Sequence, residues 1–332
     1  MYAMPNPPAR FRLALACVWA LMIAAAIAYS QLQDIPARLT LAALPPFLLE
    51  AALYLLPAFE APRERLRRFG APLARAALLA ASMVVPYLYL MALAGGFRWP
   101  SLAWLALIAA AGAFWFALLP RSRAADLAFL ALIAAVSLSR VFGGIYALPG
   151  ENLKLEFLGE LTWRRTGILA IVLLRPQDGI GYGFLPRARE WAAGLREYLY
   201  FAPAGLGLAL AAGFVRFQPA GGPCWRLALL ALGTFLGMLW FVALTEEFFF
   251  RGLLQQWLDA WSGRPLAGLL LASAAFGLVH LPFRAPPLNW RFALLAAAAG
   301  VFYGRAFRNG GGIRAAMVTH ALVNTTWRLL FV

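Results

Sequence analysis

The chain has 332 residues, 63% of them hydrophobic and 13% charged, with a formal net charge of +15 and a mean hydropathy of +0.73. Soluble domains lie nearer roughly 45–50% apolar and about 25% charged. A soluble domain of this length could not hide so much apolar surface, so composition excludes that class and predicts an integral membrane protein. The 29 basic residues, all arginine except Lys154, are spread over short inter-helix loops. No basic stripe with interleaved aromatics stands on a soluble module, so nucleic acid is not an expected partner. Anionic lipid headgroups are. Cys17 and Cys224 are isolated, form no CxxC, and read as structural thiols.

Along the chain, "MYAMPNPPARFRLALACVWALMIAAAIAYS" opens with basic residues followed by roughly 20 apolar ones, more than a signal-peptide core of about 7–15. It is expected to be an uncleaved first span. With a span taken as about 20 mostly apolar residues, further candidates lie near 39–58, 73–95, 100–119, 125–146, 198–215, 228–258, 265–283, 289–307 and 313–332. The first of these nine contains Pro45, Pro46 and Glu50 and is the least regular. The expected fold is all-α: a polytopic membrane helix bundle of about nine or ten transmembrane helices. Arginines at 10 and 12, at 63, 65, 67, 68 and 75, and at 121 and 123 would share one side. The positive-inside rule then makes the N-terminus cytoplasmic. The Arg-rich, Lys-poor composition points to a GC-rich bacterium, hence to its cytoplasmic (inner) membrane.

Three regions are expected. Residues 1–146 form an N-terminal transmembrane helical region with no assignable role. Residues 147–197 form a polar, interfacial connecting segment, in which "GILAIVLL" is too short to span. Within it, "PRAREWAAGLREYLYF" places Trp191, Leu195, Tyr198 and Leu199 on one helical face, as an interfacial helix would. Residues 198–332 form the C-terminal helical region.

That last region contains "TEEFFFRG", residues 245–252. An acid at the centre of a membrane helix costs roughly 2.5–3.5 kcal/mol on insertion scales, so two adjacent glutamates need a reason. Glu247 and Arg251 are i,i+4 and can pair. Glu246 points about 100° away and needs a partner on another helix or a water-filled cavity. The chain has two histidines. His280 closes "FGLVH", four residues after Phe276, and His320 opens "HALVN", four before Asn324. If the glutamate helix turns at "WSGRP", Glu246 and His280 lie 17 residues either side of Gly263. That puts both about 25 Å from the turn, with His320 and Asn324 about 12 and 18 Å down a helix starting at "NGGG". Singly, each residue has a plain structural reading: a packing ion pair, a core histidine, an asparagine bridging helices. Glu50 is expected to be structural or interfacial, and Phe248–Phe250 to pack. Four polar groups from three helices converging at one depth point instead to a functional site.

"EEFFFRG", "FGLVH" and "HALVN" resemble, in order and spacing, the EExxxR, FxxxH and HxxxN/D motifs of the CPBP family. These are the CAAX-protease and bacteriocin-processing (Abi) intramembrane proteases, which include the type II CAAX prenyl endopeptidases. The resemblance covers about residues 198–332. It implies an intramembrane endopeptidase in which Glu246 and His280 activate the attacking water. His320 and Asn324 would form the oxyanion hole, and Glu247 and Arg251 would orient the site. The chemistry suits the residue types. Peptide hydrolysis needs a base active near neutrality, a task a desolvated carboxylate can perform, and donors aimed at the developing oxyanion.

Two other classes compete: a transporter or ion- or proton-conducting protein using the buried glutamates, and a catalytically silent immunity or scaffold protein. Neither inverted repeats nor paired broken helices are visible, which disfavours the first, and every motif residue is present, which disfavours the second. The expected partner is a membrane protein or peptide substrate. Protein prenylation is not expected in a GC-rich bacterium, so an unprenylated substrate is favoured. Zinc on Glu246, His280 and His320 is the metal alternative, since catalytic zinc commonly takes two histidines and a carboxylate, and family precedent carries the label metalloprotease. The chain has no HExxH, and Asn324 one turn from His320 suits donation better than ligation. No cofactor is therefore favoured.

Overall fold

The computed structural model describes residues 7–148, 153–283 and 288–331. Residues 149–152, near the start of the expected connecting segment, lie outside the described residues. Apart from an isolated bridge between Phe217 and Phe331, the described residues form helices and their connections. The protein is an all-helical polytopic membrane protein. Among the described residues, five stretches are long and apolar enough to cross a membrane: Ala9–Leu32, Ala37–Ala58, Pro72–Ala94, Trp99–Leu118 and Cys224–Ser262. The other expected spans are helical too, but shorter or more polar.

Two compact units divide the chain, Met1–Pro176 and Gln177–Val332. The first contains α1 (Pro7–Leu32), α2 (Ala37–Leu55), α3 (Glu60–Arg67), α4 (Pro72–Ala94), α5 (Trp99–Leu118), α6 (Arg123–Leu138), α7 (Val141–Ile145) and α8 (Glu156–Leu174). Its boundary falls inside the segment expected to be a connector, and α8 is the reason. "GILAIVLL" does not stand alone: it continues "EFLGELTWRRT" into a 19-residue helix packed against α2, α4 and α5. The buried polar residues of α8, Thr162, Arg165 and Thr166, each have a hydrogen-bond partner. Arg165 on α8 donates from Nε and Nη2 to Glu50 Oε2 on α2, at 3.1 and 2.9 Å, and from Nη2 to the Ser82 carbonyl at 3.1 Å. Glu50 thus has a structural role. Arg67 caps the Val172 carbonyl at 2.8 Å and Arg75 the Leu173 carbonyl at 3.1 Å. These are orphan acceptors of the α8 terminus. Arg175, just beyond that terminus, forks onto Asp126 at 3.2 and 3.0 Å.

The second unit contains α9 (Ala188–Ala211), α10 (Cys224–Gly237), α11 (Leu244–Glu247), α12 (Gln256–Ser262), α13 (Pro265–Leu278), α14 (Trp290–Gly310) and α15 (Ile313–Leu330). α10 to α12 are one continuous run, interrupted by π-helical turns at Met238–Ala243 and Phe248–Gln255. Left-handed glycines end it and the α14 helix: Gly263 (φ 63°) turns the chain into α13, and Gly311 (φ 80°) turns it into α15. A residue with a Cβ would be strained at either position.

The stretch expected to be an interfacial helix is the first half of α9, which runs on without a break to Ala211. Trp191, Leu195 and Leu199 do share an exposed face. The opposite face differs from that of an interfacial helix, because its carboxylates point into the unit. Glu190 pairs with Arg314 at 2.6 Å and Glu197 with Arg305 at 2.9 Å. Buried charges survive only when paired, and these pairs tie α9 to α15 and α14.

Candidate active site

The two π-helical turns flank a single α-helical turn, and Glu246 and Glu247 end it. A π-turn widens the ladder and is a frequent feature of functional sites. Here it presents both carboxylates to one neighbour. His320 on α15 lies between them, its Nδ1 2.7 Å from Glu247 Oε1 and its Nε2 3.8 Å from Glu246 Oε2. The first is a charge-assisted hydrogen bond; the second is too long for a direct one. The expected i,i+4 ion pair is present too, with Arg251 Nε 3.3 Å from Glu247 Oε2.

Arg251 is fully buried and reaches beyond Glu247. Its Nη2 donates to the Gly300 carbonyl of α14 at 3.0 Å. Its guanidinium carbon stands 4.5 Å from the Phe276 ring centroid and 5.3 Å from that of Tyr303. Burying a guanidinium is costly unless it is paired and hydrogen-bonded, and the carboxylate, the carbonyl and two π-faces answer that cost. The bare Gly300 backbone eases this approach: a Cβ there would lie 3.0 Å from Arg251 Nη2 and 3.2 Å from Ser273 Cα, so a neighbour would have to give way. One turn on, Gln255 is also fully buried and donates to the Gly304 carbonyl at 3.4 Å. Glu247, Arg251 and Gln255 therefore form an i, i+4, i+8 polar line, with the last two facing the Gly300–Gly304 pair of α14.

His280 sits on the turn just past the end of α13, not within the helix. Its Nδ1 is 2.6 Å from the Phe276 carbonyl. A carbonyl only accepts, so Nδ1 carries the hydrogen and Nε2 of the neutral ring is the unprotonated nitrogen. Phe276 and Phe292 pack against the ring at 4.7 and 4.9 Å. Phe276 also meets His320 edge-on at 5.8 Å, so the two imidazoles share one aromatic neighbour. No hydrogen bond or ion pair joins His280 to Glu246 among the described residues; the imidazole facing Glu246 is His320. Asn324, one turn beyond His320, has a weak contact from Nδ2 to Met238 Sδ at 3.7 Å.

The six residues singled out by the motifs thus separate into two sets. Glu247, Arg251 and His320 are buried, and Glu247 is bonded to both of the others. Glu246, whose side chain is 33% exposed, His280 and Asn324 are only half-buried. Among the described residues no group of three or more His, Cys, Asp or Glu side chains is placed to hold a metal ion. His320 Nδ1 is held by Glu247 and His280 Nδ1 by the Phe276 carbonyl, which leaves Nε2 as the outward nitrogen of each ring.

Sequence reasoning missed Tyr303, Gln255 and Gly300. Two of them left a signal: extending the Glu247, Arg251 register by four gives Gln255, and Gly300 and Gly304 are a small-xxx-small pair. Tyr303 left none, since one aromatic in "AAAAGVFYGRAF" reads as packing.

An all-helical membrane fold in which two carboxylates of one π-interrupted span meet a histidine of α15 defines a polytopic membrane protein with polar groups inside its helical packing. Residues 228–326 match the family model described as "Type II CAAX prenyl endopeptidase Rce1-like". That description names the CAAX-protease family that the three motifs resemble. The match begins in α10, ends in α15 and includes all six motif residues. No curated protein and no solved structure matches the chain.

Proposed function

We propose that the unit formed by Gln177–Val332 is an intramembrane endopeptidase acting on a membrane-associated protein or peptide. The observation that carries this reading is that Glu247, sealed between Arg251 and His320, underlies a half-buried set of Glu246, His280 and Asn324, toward which His320 turns its Nε2. Such an arrangement suits a rigid support under accessible reacting groups.

In this reading Glu246 takes a proton from water as its oxygen adds to the scissile carbonyl carbon. His280 Nε2, the nitrogen free to accept, orients that water. The developing oxyanion receives hydrogen bonds from Asn324 Nδ2 and His320 Nε2. Since His320 Nδ1 already donates to Glu247, donation from Nε2 requires a hydrogen on both ring nitrogens. The proton held by Glu246 then passes to the leaving amine as the C–N bond breaks. No metal takes part. The N-terminus is cytoplasmic, the membrane is a bacterial inner membrane with anionic headgroups, and the substrate is unprenylated.

The test is the purified full chain in detergent, incubated with a membrane-peptide library and read by mass spectrometry beside Glu246→Ala. Cleavage by the wild type alone is the expected result. Absence of cleavage by a folded wild type overturns the reading. Proton or ion flux in proteoliposomes that depends on Glu246 would then favour transport, and no flux a silent family member.

A further inference from the structure

We propose that Tyr303 is a positioning residue that fixes the imidazole plane of His320. The two rings are stacked, with centroids 4.6 Å apart and planes 12° apart. Tyr303 is only 2% exposed, so the stack is inside the protein and shielded from solvent. Phe276 closes a second side, edge-on to both Tyr303 and His320 at 5.8 Å.

The physical need follows from the geometry of His320. Its short bond, Nδ1 to Glu247, anchors one corner of the ring but leaves rotation about that bond open. Rotation would carry Nε2 away from Glu246 while keeping the hydrogen bond to Glu247. A flat ring against the imidazole face removes that freedom, since offset aromatic pairs hold a preferred separation and tilt. Tyr303 is itself held: Arg251 stands over its ring at 5.3 Å and is anchored one turn earlier on α14 through the Gly300 carbonyl. α14 therefore contributes a carbonyl for the arginine and a ring for the histidine, and one helix sets both partners of Glu247. The ring does this work, and the hydroxyl is not required.

The substitution pair that separates these roles is Tyr303→Phe, which keeps the stack, and Tyr303→Leu, which fills much of the volume without a flat face. Because the chain has only two histidines, selective ¹⁵N-imidazole labelling of the full-length protein in detergent yields two ring systems, assigned with His320→Gln. We expect a slowly exchanging, downfield Nδ1–H on His320 in the wild type and in Tyr303→Phe, and its loss or broadening in Tyr303→Leu. In a peptidase assay kcat should fall ~10²-fold in Tyr303→Leu with KM within about threefold, and Tyr303→Phe should stay within about threefold of wild type, the scale expected for a misplaced catalytic group. Leu295→Ala, a cavity elsewhere on α14, should lower the melting temperature without moving the His320 signal.

An intact His320 signal in folded Tyr303→Leu overturns the proposal, as does an equal loss of signal in Leu295→Ala. The kinetic part rests on the peptidase reading, whereas the spectroscopic part does not. A wild type that cleaves nothing yet shows the protected signal defeats the peptidase reading alone. A wild type that cleaves, with Tyr303→Leu equal to it in rate and spectrum, defeats this inference alone.

Discussion

His320 Nδ1 donates to Glu247 Oε1 across 2.7 Å, bonding α15 to the turn between the two π-helical segments. That bond gives Glu247 two cationic or donor partners, the other being Arg251, while Glu246 is left with a half-open side chain and no hydrogen bond to its buried oxygen. Two adjacent glutamates of the same chemistry are thereby assigned different environments.

The first expected outcome is a split between them. Glu246→Gln should leave the melting temperature nearly unchanged and lower kcat by at least ~10³-fold, since it removes the base and little packing. Glu247→Gln should destabilise by about 3–5 kcal/mol, as removing one partner of a buried ion pair does, with a smaller loss of kcat in the protein that stays folded. Thermal unfolding and single-turnover kinetics on both variants check this. Equal residual activity in two equally stable variants would sink the assignment.

Asn324→Ala should lower kcat by about 10²–10³ with little change in KM, as for loss of one oxyanion donor. Stability should barely move, because the side chain holds only a weak contact to Met238. If the variant instead melts early while its folded fraction cleaves normally, Asn324 is a helix-bridging residue.

Chelator treatment should leave peptidase activity intact, and the purified protein should contain zinc well below one equivalent. The measurement is elemental analysis of the same preparation used for kinetics, before and after dialysis against chelator. Stoichiometric zinc, with activity lost on its removal and restored on re-addition, would falsify metal-independent hydrolysis.

In the N-terminal unit, Glu50→Gln or Arg165→Met alone should destabilise by about 3–5 kcal/mol, because each leaves an unpaired buried charge. The double variant Glu50→Leu with Arg165→Met should recover most of that loss. Chemical denaturation of all three in one detergent reads the coupling directly. Additive losses would mean that the fork from Arg165 to Glu50 is not the partner that stabilises either charge.

The sequence by itself determined the solvent and the reactive parts list. Apolar stretches of span length require helices in lipid, because only helices or closed barrels satisfy every backbone group there. Polar residues so costly to bury are few enough to be counted, and the i,i+4 spacing of Glu247 and Arg251 was legible because it is a property of one helix. Helical periodicity stops at the end of each segment, however, and says nothing of which neighbour comes next to it.

Tertiary structure decided the rest. "GILAIVLL" became part of a buried helix only because Glu50, 115 residues away from Arg165, accepts its charge. α9 turned its carboxylates inward because Arg305 and Arg314 meet them from other helices. The partner facing Glu246 proved to be His320, because paired π-turns bring both carboxylates to α15, and π-turns leave no periodic mark in composition. Tyr303 stacks on that histidine across a helix boundary, and what places it there is the packing of α14, through bare glycines, against the buried arginine.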